Sequence, residues 1–418
     1  MSRYNRDNAA PPPIAVTGIG MITPLGLTVD DCWSALVQGK SGVRRIEKFD
    51  PKDCATQIGG ELGKEFEALE RERTPKRLFK QTVRTGRISR LCAEDALRNS
   101  GTEAAPLDPE RCAVIMGTTG TSVRSPQDMG GPETERFTVI REMINALPAW
   151  ISIDQGFRGP SFTVSAACSS GSYAITNACD LIASGSVDLA IAGGVDCMVT
   201  ENCVRRGNAM HVLSTRNDDP AKAMRPFDRT RDGWVFSDGG CVVILESFER
   251  ATKRNANVYA WVRGYGATSE AHNIFASTPD GAGMEETIEL ALENARVSKD
   301  RVDYVSANGT STAANDYFET LALKRVFEKR AYDLLVSAQK SMLGHCMGAS
   351  SALNFAITAL VLKTGNIPPT INYEHPDPDC DLNYVPNTTV SVPDLDIGLA
   401  NTFSFGGHNC VTVLSRSL

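Results

Sequence analysis

Histidine is scarce in this 418-residue sequence, which contains only five copies. None of them lies at zinc-ligand spacing from a cysteine, so no metal site is expected. The twelve cysteines form no Cys-x-x-Cys pair and are scattered from Cys32 to Cys410. That scatter predicts reduced thiols, mostly in the core, rather than a disulfide framework.

Positive charge and long apolar runs are also in short supply. The formal net charge of -7 argues against general binding to nucleic acid or to anionic membranes. Apolar segments such as "VDLAIAGGVDCMV" are too short to cross a bilayer. The first twenty residues contain neither an apolar stretch nor a cleavage site typical of a secretory signal. We therefore expect a cytoplasmic protein with no membrane insertion and no nucleic-acid partner.

Strand-like segments alternate with helical segments along most of the chain. For example, "DYVSANG" is followed closely by "DYFETLALKRVF". This alternation predicts an α/β fold whose sheets are covered by helices on both faces. The chain is longer than the size at which one core usually stops growing, so two core units are expected. Residues 1–13 are polar and proline-rich and are expected to form a flexible lead-in.

The two halves of the chain echo one another. Three pairs of segments correspond in the same order: 112–122 with 302–312, 163–175 with 335–349, and "LAIAGG" near 189 with "LANTFSFGG" near 399. A duplicated α/β unit is the simplest interpretation, with halves at 14–250 and 251–418, and chance similarity of small-residue turns is the alternative. In a duplicated unit the strand ends converge, which places the functional site between the halves.

Cys168 is the candidate nucleophile. It follows an apolar strand-like run and precedes a helix rich in small residues, within "TVSAACSSGSYAI". The positive end of a helix dipole favours a thiolate at this position. Backbone N–H groups there can also face a developing oxyanion. The alternative is that Cys168 is one more small core residue.

Four ordered motifs carry a family resemblance: "AACSSG", "NGTSTAAND", "KSMLGH" and "NTFSFGGHN". The chain resembles, over nearly its whole length, the elongating β-ketoacyl-acyl carrier protein synthases of fatty-acid and type II polyketide synthesis. That resemblance implies a thiolase fold with duplicated half-domains in α-β-α-β-α layers. It also implies an acyltransferase that condenses a Cys-bound acyl chain with malonyl-carrier, with loss of carbon dioxide. No cofactor is implied beyond the phosphopantetheine of the acyl carrier protein.

The resemblance also assigns site residues. Cys168 matches the nucleophile, Lys340 and His345 match the "KSxxGH" motif, and Phe405 matches the gate residue whose backbone N–H completes the oxyanion hole. The implied substrate-binding residues are Thr310, Thr312, Asp316, Phe403, Gly406 and Gly407. Lys340 and Asp316 are expected to organise the site.

The chain departs from the family pattern at one catalytic position. The family's "HGT" motif is written "NGT" here, with Asn308 in place of histidine. An amide can donate a hydrogen bond to the malonyl carbonyl but cannot exchange protons near neutral pH. Condensation therefore stays chemically feasible. The alternative is an acyl-loading acyltransferase, or a partner subunit, with impaired decarboxylation.

Three further departures surround the site. Asn354 stands where a glutamate is usual, which removes the expected ion-pair partner of Lys340. Ser404 replaces a glycine and should stiffen the gate backbone. His408 replaces a threonine, and it is either a surface histidine or a compensating donor. These changes suggest a specialised pathway rather than housekeeping fatty-acid elongation.

Basic residues cluster between Arg71 and Arg90 in an otherwise acidic protein. The resemblance implies docking of an acidic acyl carrier protein, and a solvated helix face is the alternative. The implied docking residues are Lys76, Arg77, Lys80, Arg205 and Arg206. The segment "ERFTVIREMINALP" is expected to line the acyl channel near a dimer contact. A homodimer is expected, with a heterodimer with a chain-length-factor-like subunit as the alternative.

Overall fold

The computed structural model describes residues 12–102, 106–120 and 136–418. Nearly all of the expected lead-in, residues 1–13, lies outside these ranges. The strands of the first half are β1 (Ile14–Ile22), β2 (Arg44–Arg45), β3 (Ile58–Gly59), β4 (Cys112–Gly117), β5 (Ser161–Val164), β6 (Leu189–Cys197) and β7 (Asp238–Ser247). Those of the second half are β8 (Ala260–Ser269), β9 (Tyr304–Ser306), β10 (Leu335–Ser337), β11 (Asn366–Ile367), β12 (Val390–Ser391), β13 (Ile397–Thr402) and β14 (His408–Ser415).

Helices connect and cover these strands. They are α1 (Val29–Val37), α2 (Lys64–Arg73), α3 (Lys76–Gln81), α4 (Arg84–Ser100), α5 (Thr138–Glu142), α6 (Ala146–Gln155), α7 (Ser170–Ala183), α8 (Glu201–Ala209), α9 (Phe248–Lys253), α10 (Ala282–Ala295), α11 (Ala313–Phe327), α12 (Lys340–Leu343) and α13 (Gly348–Thr364). The predicted boundary at residues 250 and 251 falls inside α9, between the last strand of one half and the first strand of the other.

The strand order shows an internal duplication. The large sheet has the order β10-β9-β13-β14-β8-β1-β7-β6-β4-β5. Counted outward from the β1–β8 contact, the strands of the first half follow the order β1, β7, β6, β4, β5, and those of the second half follow the order β8, β14, β13, β9, β10. Among the five strands that each half contributes to this sheet, both orders are first, fifth, fourth, second and third along the chain. The three predicted segment pairs fall on β4 with β9, β5 with β10, and β6 with β13. The duplication predicted from the sequence is therefore confirmed.

The two halves join where β1 and β8 pair in antiparallel register, with Ile14 opposite Val262 and Val16 opposite Ala260. Within each half the pairing is mixed. Strands β4, β5 and β6 are parallel, as are β9, β10 and β13, whereas β7 and β14 run antiparallel to their neighbours. Parallel neighbours end at the same edge of the sheet, so the loops that follow β9 and β10 meet there. The loop that follows β5 belongs to the other half, whose parallel strands run in the opposite direction, and it reaches the second half through contacts such as that between the Ser169 and Ser404 hydroxyls at 3.2 Å.

Helices α7 and α13 form the central layer. Residues 348–362 of α13 are buried on every side, as expected of a helix enclosed in a protein core. Gly171 of α7 permits the close helix contact, because a Cβ there would lie 2.8 Å from the Gly348 carbonyl oxygen. The outer faces are covered by α4 and α6 on the first half and by α10 and α11 on the second. These are the α-β-α-β-α layers predicted above.

Successive side chains along each strand point to opposite faces of the sheet, so both faces contribute to a core. On β6, Ala190 and Ala192 face the central core, whereas Leu189 and Ile191 face the outer core under α4. Because the side chains that face α7 are small and those that face outward are large, the central helices can approach the sheet closely.

All twelve cysteines are free and buried, which confirms the prediction of reduced core thiols. Among the residues that the structure describes, no helix is both long and apolar enough to cross a membrane.

Candidate active site

The nucleophile turn lies between β5 and α7. Ala167 adopts a left-handed backbone with φ 49°, a strained conformation for a residue with a side chain. The Ser170 hydroxyl holds this turn, since it donates to the Ala167 carbonyl at 2.6 Å and accepts from the Ala166 N–H at 2.9 Å. Cys168 is thereby fixed two residues ahead of the first residue of α7, in the geometry of a strained nucleophile elbow.

Burial dominates the acidity of Cys168. The residue is 6% exposed, and burial raises the pKa of its thiol to about 12, against the opposing effect of Lys340. The helix N-terminus favours the thiolate, whereas burial disfavours it, because desolvation penalises the charged form.

Asn308 directly follows the short strand β9. Its backbone N–H and that of Gly309 donate to the two carboxylate oxygens of Glu319 at 2.8 and 2.9 Å. Sequence reasoning missed Glu319. A signal was present, because Glu319 lies one helical turn after Asp316 on α11 and so shares its face.

The side chain of Asn308 is fully engaged. Lys340 donates from Nζ to the Asn308 carbonyl oxygen at 2.6 Å and to its Oδ1 at 3.2 Å. The Asn308 Nδ2 group donates to Asn315 Oδ1 at 2.8 Å and to the Phe403 carbonyl at 2.9 Å. A flipped amide would place two donors together at Lys340 and two acceptors together at Phe403. The network therefore fixes the amide orientation and occupies both of its N–H groups.

Lys340 is buried at 2% exposure. Burial lowers the pKa of its amine to about 8, and Cys168 and Glu319 oppose that shift. Among the described residues no hydrogen bond joins it to Asn354, whose Nδ2 donates to the carbonyls of Ala307 and Asn401 at 3.0 and 3.1 Å. The lysine whose usual ion-pair partner is missing thus uses the oxygens of Asn308 as acceptors.

His345 is held as a neutral imidazole. The Met347 backbone N–H lies 3.2 Å from Nδ1 and can only donate, so Nδ1 accepts and the ring proton sits on Nε2. The Ser350 hydroxyl also contacts Nδ1, at 2.9 Å. Burial, aided by the charge of Lys340, lowers the pKa of His345 well below its ordinary value. The site therefore contains a histidine that donates from Nε2 over a wide pH range.

Asp316 organises the turn that carries the threonines. It is fully buried and accepts from the backbone N–H groups of Thr310 at 3.0 Å and Phe227 at 2.8 Å. Burial raises the pKa of its carboxyl, whereas Arg231, 3.5 Å away, lowers it. The hydroxyls of Thr310 and Thr312 lie 2.9 Å apart at the start of α11.

The predicted gate loop begins at buried Phe403 and continues through Ser404 to Gly407. Gly406 and Gly407 have φ of 80° and 69°, which favours glycine. The Phe405 ring stacks on Phe275 with centroids 4.8 Å apart and also approaches Trp234. Phe275 was not anticipated from the sequence. The gate therefore packs against a second loop that follows β8.

His408 is exposed and turns its ring edge to Tyr173, with centroids 6.5 Å apart. Its side chain has no hydrogen-bond partner among the described residues. The ring of this histidine therefore lies at the surface of the gate loop.

The predicted docking residues are exposed: Lys76, Arg77 and Lys80 on α3, and Arg205 and Arg206 on α8. The wider basic segment is not one surface. Arg87 is buried, pairs with Glu70 at 2.7 Å and covers the Phe79 ring. The basic surface is therefore narrower than the sequence suggested, because part of its charge is used inside the fold.

The segment expected to line the acyl channel exposes apolar side chains. Val139 and Ile140 of α5 and the nearby Met143 are 73%, 43% and 41% exposed, and Ile153 of α6 is 67% exposed. The first residue of this segment, Glu135, lies outside the described residues. These side chains form an exposed apolar surface on α5 and α6, and lining of an acyl channel by this segment stays a prediction.

A cysteine elbow from one half interacts electrostatically with a lysine of the other half, and that lysine also acts on a neutral histidine. This arrangement is that of an acyl-transferring enzyme of the thiolase fold. Two family models match the chain: "Beta-ketoacyl synthase, N-terminal domain" over residues 12–251 and "Beta-ketoacyl synthase, C-terminal domain" over residues 259–374. The chain belongs to the β-ketoacyl synthase family.

Named relatives agree with this assignment. The chain is 36% identical to 3-oxoacyl-[acyl-carrier-protein] synthase 2 of Synechocystis over 96% of this chain and 98% of that protein. It is 35% identical to the tetracenomycin polyketide synthase ketoacyl synthase alpha subunit of Streptomyces glaucescens, over 96% and 97%. Among solved structures, it matches a chain of the structure described as a type II PKS acyl-carrier protein in complex with its ketosynthase bound to the hexaketide. That match has a TM-score of 0.85 and 27% identity and covers 97% of this chain and 99% of that one.

Proposed function

We propose that this β-ketoacyl synthase condenses an acyl chain held on Cys168 with malonyl-acyl carrier protein, releasing carbon dioxide. The observation that carries the proposal is the fixed tautomer of His345, whose Nε2–H stays available as a donor. A neutral donor of this kind stabilises an enolate without being consumed by proton exchange.

The first step loads the acyl chain. The Cys168 sulfur attacks the thioester carbonyl of acyl-carrier, and the phosphopantetheine thiol leaves with the proton that Cys168 gives up. Among the described residues, no acceptor is found for the backbone N–H of Phe405, and that of Cys168 interacts with the residue's own sulfur. These two N–H groups support a role as the oxyanion hole for the tetrahedral intermediate.

The second step generates the nucleophile. The bond between the malonyl methylene and its carboxylate breaks, carbon dioxide leaves, and the electron pair remains as a thioester enolate. His345 donates to the enolate oxygen. Asn308 is proposed as the second donor, and the N–H that now contacts the Phe403 carbonyl is the one that must turn to the substrate. The carbon then attacks the acyl thioester, and the Cys168 thiolate leaves.

The alternative function is acyl transfer with impaired decarboxylation. It is favoured by one observation, the engagement of both N–H groups of Asn308 by Asn315 and Phe403. If these bonds persist with substrate present, only His345 faces the malonyl carbonyl. Thr310, Thr312 and the gate glycines would then still bind the phosphopantetheine arm.

Acyl carrier protein is the proposed partner, as the names of the relatives suggest for those proteins. The exposed cations of α3 and α8 suit an acidic carrier. The apolar surface of α5 and α6 supports a homodimer, or a heterodimer with a chain-length-factor-like subunit. We place the reaction in the cytoplasm, in a specialised fatty-acid or polyketide pathway, with no cofactor of its own.

Intact mass measurement tests the proposal directly. Purified protein is incubated with acyl-carrier and malonyl-carrier, and the masses of enzyme and carrier are recorded. An acyl adduct on the enzyme together with β-ketoacyl-carrier is expected. An adduct with untouched malonyl-carrier would support the alternative instead, and absence of any adduct would contradict both. The Cys168→Ala variant provides the control for the site of the adduct.

A further inference from the structure

A small hydroxyl cluster links the gate loop to the nucleophile turn. The Ser404 hydroxyl lies 3.2 Å from the Ala166 carbonyl oxygen and 2.7 Å from the His408 carbonyl oxygen. The Ser169 hydroxyl lies 2.7 Å from that same His408 carbonyl and 3.2 Å from the Ser404 hydroxyl. Two hydroxyls and two carbonyls therefore connect segments that lie far apart in the sequence.

The cluster sits next to both proposed oxyanion donors. Ser404 immediately precedes Phe405, and Ser169 immediately follows Cys168. A bond between these two side chains fixes the separation of the two adjoining backbone segments. Ser404 itself has an extended backbone, with φ -134° and ψ 161°, so the serine fits there without strain. A glycine at this position could not form the link.

We infer that Ser404 is a positioning residue for acyl transfer. Through Ser169 and the Ala166 carbonyl it holds the Phe405 N–H in place beside Cys168. The inference rests on the proposed function, because it assigns Ser404 to the loading step of that reaction. The role also explains why a serine is compatible with a loop that otherwise depends on glycine. Its hydroxyl holds the loop in the conformation in which the Phe405 N–H can donate to the substrate.

Two reactions of the same thiol separate this role from a purely structural one. Acylation by acyl-carrier passes through an oxyanion and needs the Phe405 N–H. Alkylation by iodoacetamide forms no oxyanion and needs only an accessible thiol. Loss of the Ser404 hydroxyl should therefore slow acylation while alkylation stays the same or becomes faster.

The experiment compares single-turnover acylation at saturating acyl-carrier with iodoacetamide alkylation of Cys168. Ser404→Ala and Ser404→Gly should slow acylation about threefold to tenfold, the range expected for one neutral hydrogen bond. Ser404→Thr keeps a hydroxyl and should restore much of the rate. Ser269→Ala is the matched control, because Ser269 pairs with His408 in the sheet but its hydroxyl has no partner among the described residues.

Each outcome separates the two claims. Slower acylation with unimpaired alkylation in Ser404→Ala supports the positioning role. Unchanged acylation in that variant, or an equal loss in both reactions, overturns it while leaving the proposed function intact. A wild-type enzyme that acyl-carrier never acylates would overturn the proposed function and this inference together.

Discussion

The ammonium group of Lys340 donates to two oxygens of a single residue, the backbone carbonyl and the side-chain Oδ1 of Asn308, at 2.6 and 3.2 Å. A buried cation requires such acceptors, because an unpaired charge in the interior is costly. The same contact determines which way the Asn308 amide points. The residue that replaces the usual histidine is therefore part of the charge balance of the site as well as a proposed donor.

Asn308→Asp tests the donor function at nearly constant shape. The carboxylate accepts from Lys340 but cannot donate, so decarboxylation of malonyl-carrier should fall about 100-fold, as for loss of one oxyanion donor. Loading of Cys168 should change little. Mass spectrometry of the malonyl-carrier and of the enzyme measures the two steps separately. Asn315→Ala is the control, since it keeps the Asn308 amide and removes the Asn315 acceptor together with its donor contact to Asp316. Wild-type decarboxylation in Asn308→Asp would refute the donor function.

The pKa of Lys340 predicts the alkaline limb of the pH profile. Burial lowers that pKa from 10.5 to about 8, so the ammonium loses its proton as the pH rises through about 8. Decarboxylation should therefore decline above that pH, because the positive charge that steadies Asn308 and the enolate disappears. Rates measured with malonyl-carrier across this range provide the test.

Asn308→Asp supplies a second check on this assignment. A carboxylate next to Lys340 favours the charged amine and should move the alkaline limb to higher pH. A limb that does not move would indicate that another group titrates there.

Local sequence patterns were sufficient for much of this architecture. The turns at Cys168 and Asn308 could be predicted because each follows a short strand and leads through small residues into a helix, and His345 could be placed by the motif that it shares with Lys340. Glu319, Phe275 and the Asn308–Phe403 contact could not, because they depend on which distant segments meet through the fold. The burial of Arg87 could not be predicted for the same reason, because its partner Glu70 lies on another helix. A run of basic residues in a sequence does not show which of them point into the core.

Arg87→Met tests that inward role. Removal of one member of a buried ion pair leaves the Glu70 carboxylate uncompensated, so the free energy of unfolding should fall by about 3 kcal/mol. Lys80→Met removes an exposed charge from the same basic segment and should change stability by less than about 0.5 kcal/mol. Urea unfolding of the two variants measures the difference. Equal stabilities would mean that Arg87 is as dispensable as a surface lysine.

The exposed cations of α3 should act on carrier encounter rather than on chemistry. Lys76→Glu combined with Lys80→Glu places negative charge opposite an acidic carrier, and KM for acyl-carrier should rise about tenfold at low salt with kcat little changed. Added salt should shrink this difference, because exposed charges are screened. Lys253→Glu is the control for Lys80→Glu alone, because it makes the same charge change at an exposed residue of α9, and it should leave KM unaltered. An equal rise in KM for these two single variants would show that net charge, rather than this surface, governs encounter with the carrier.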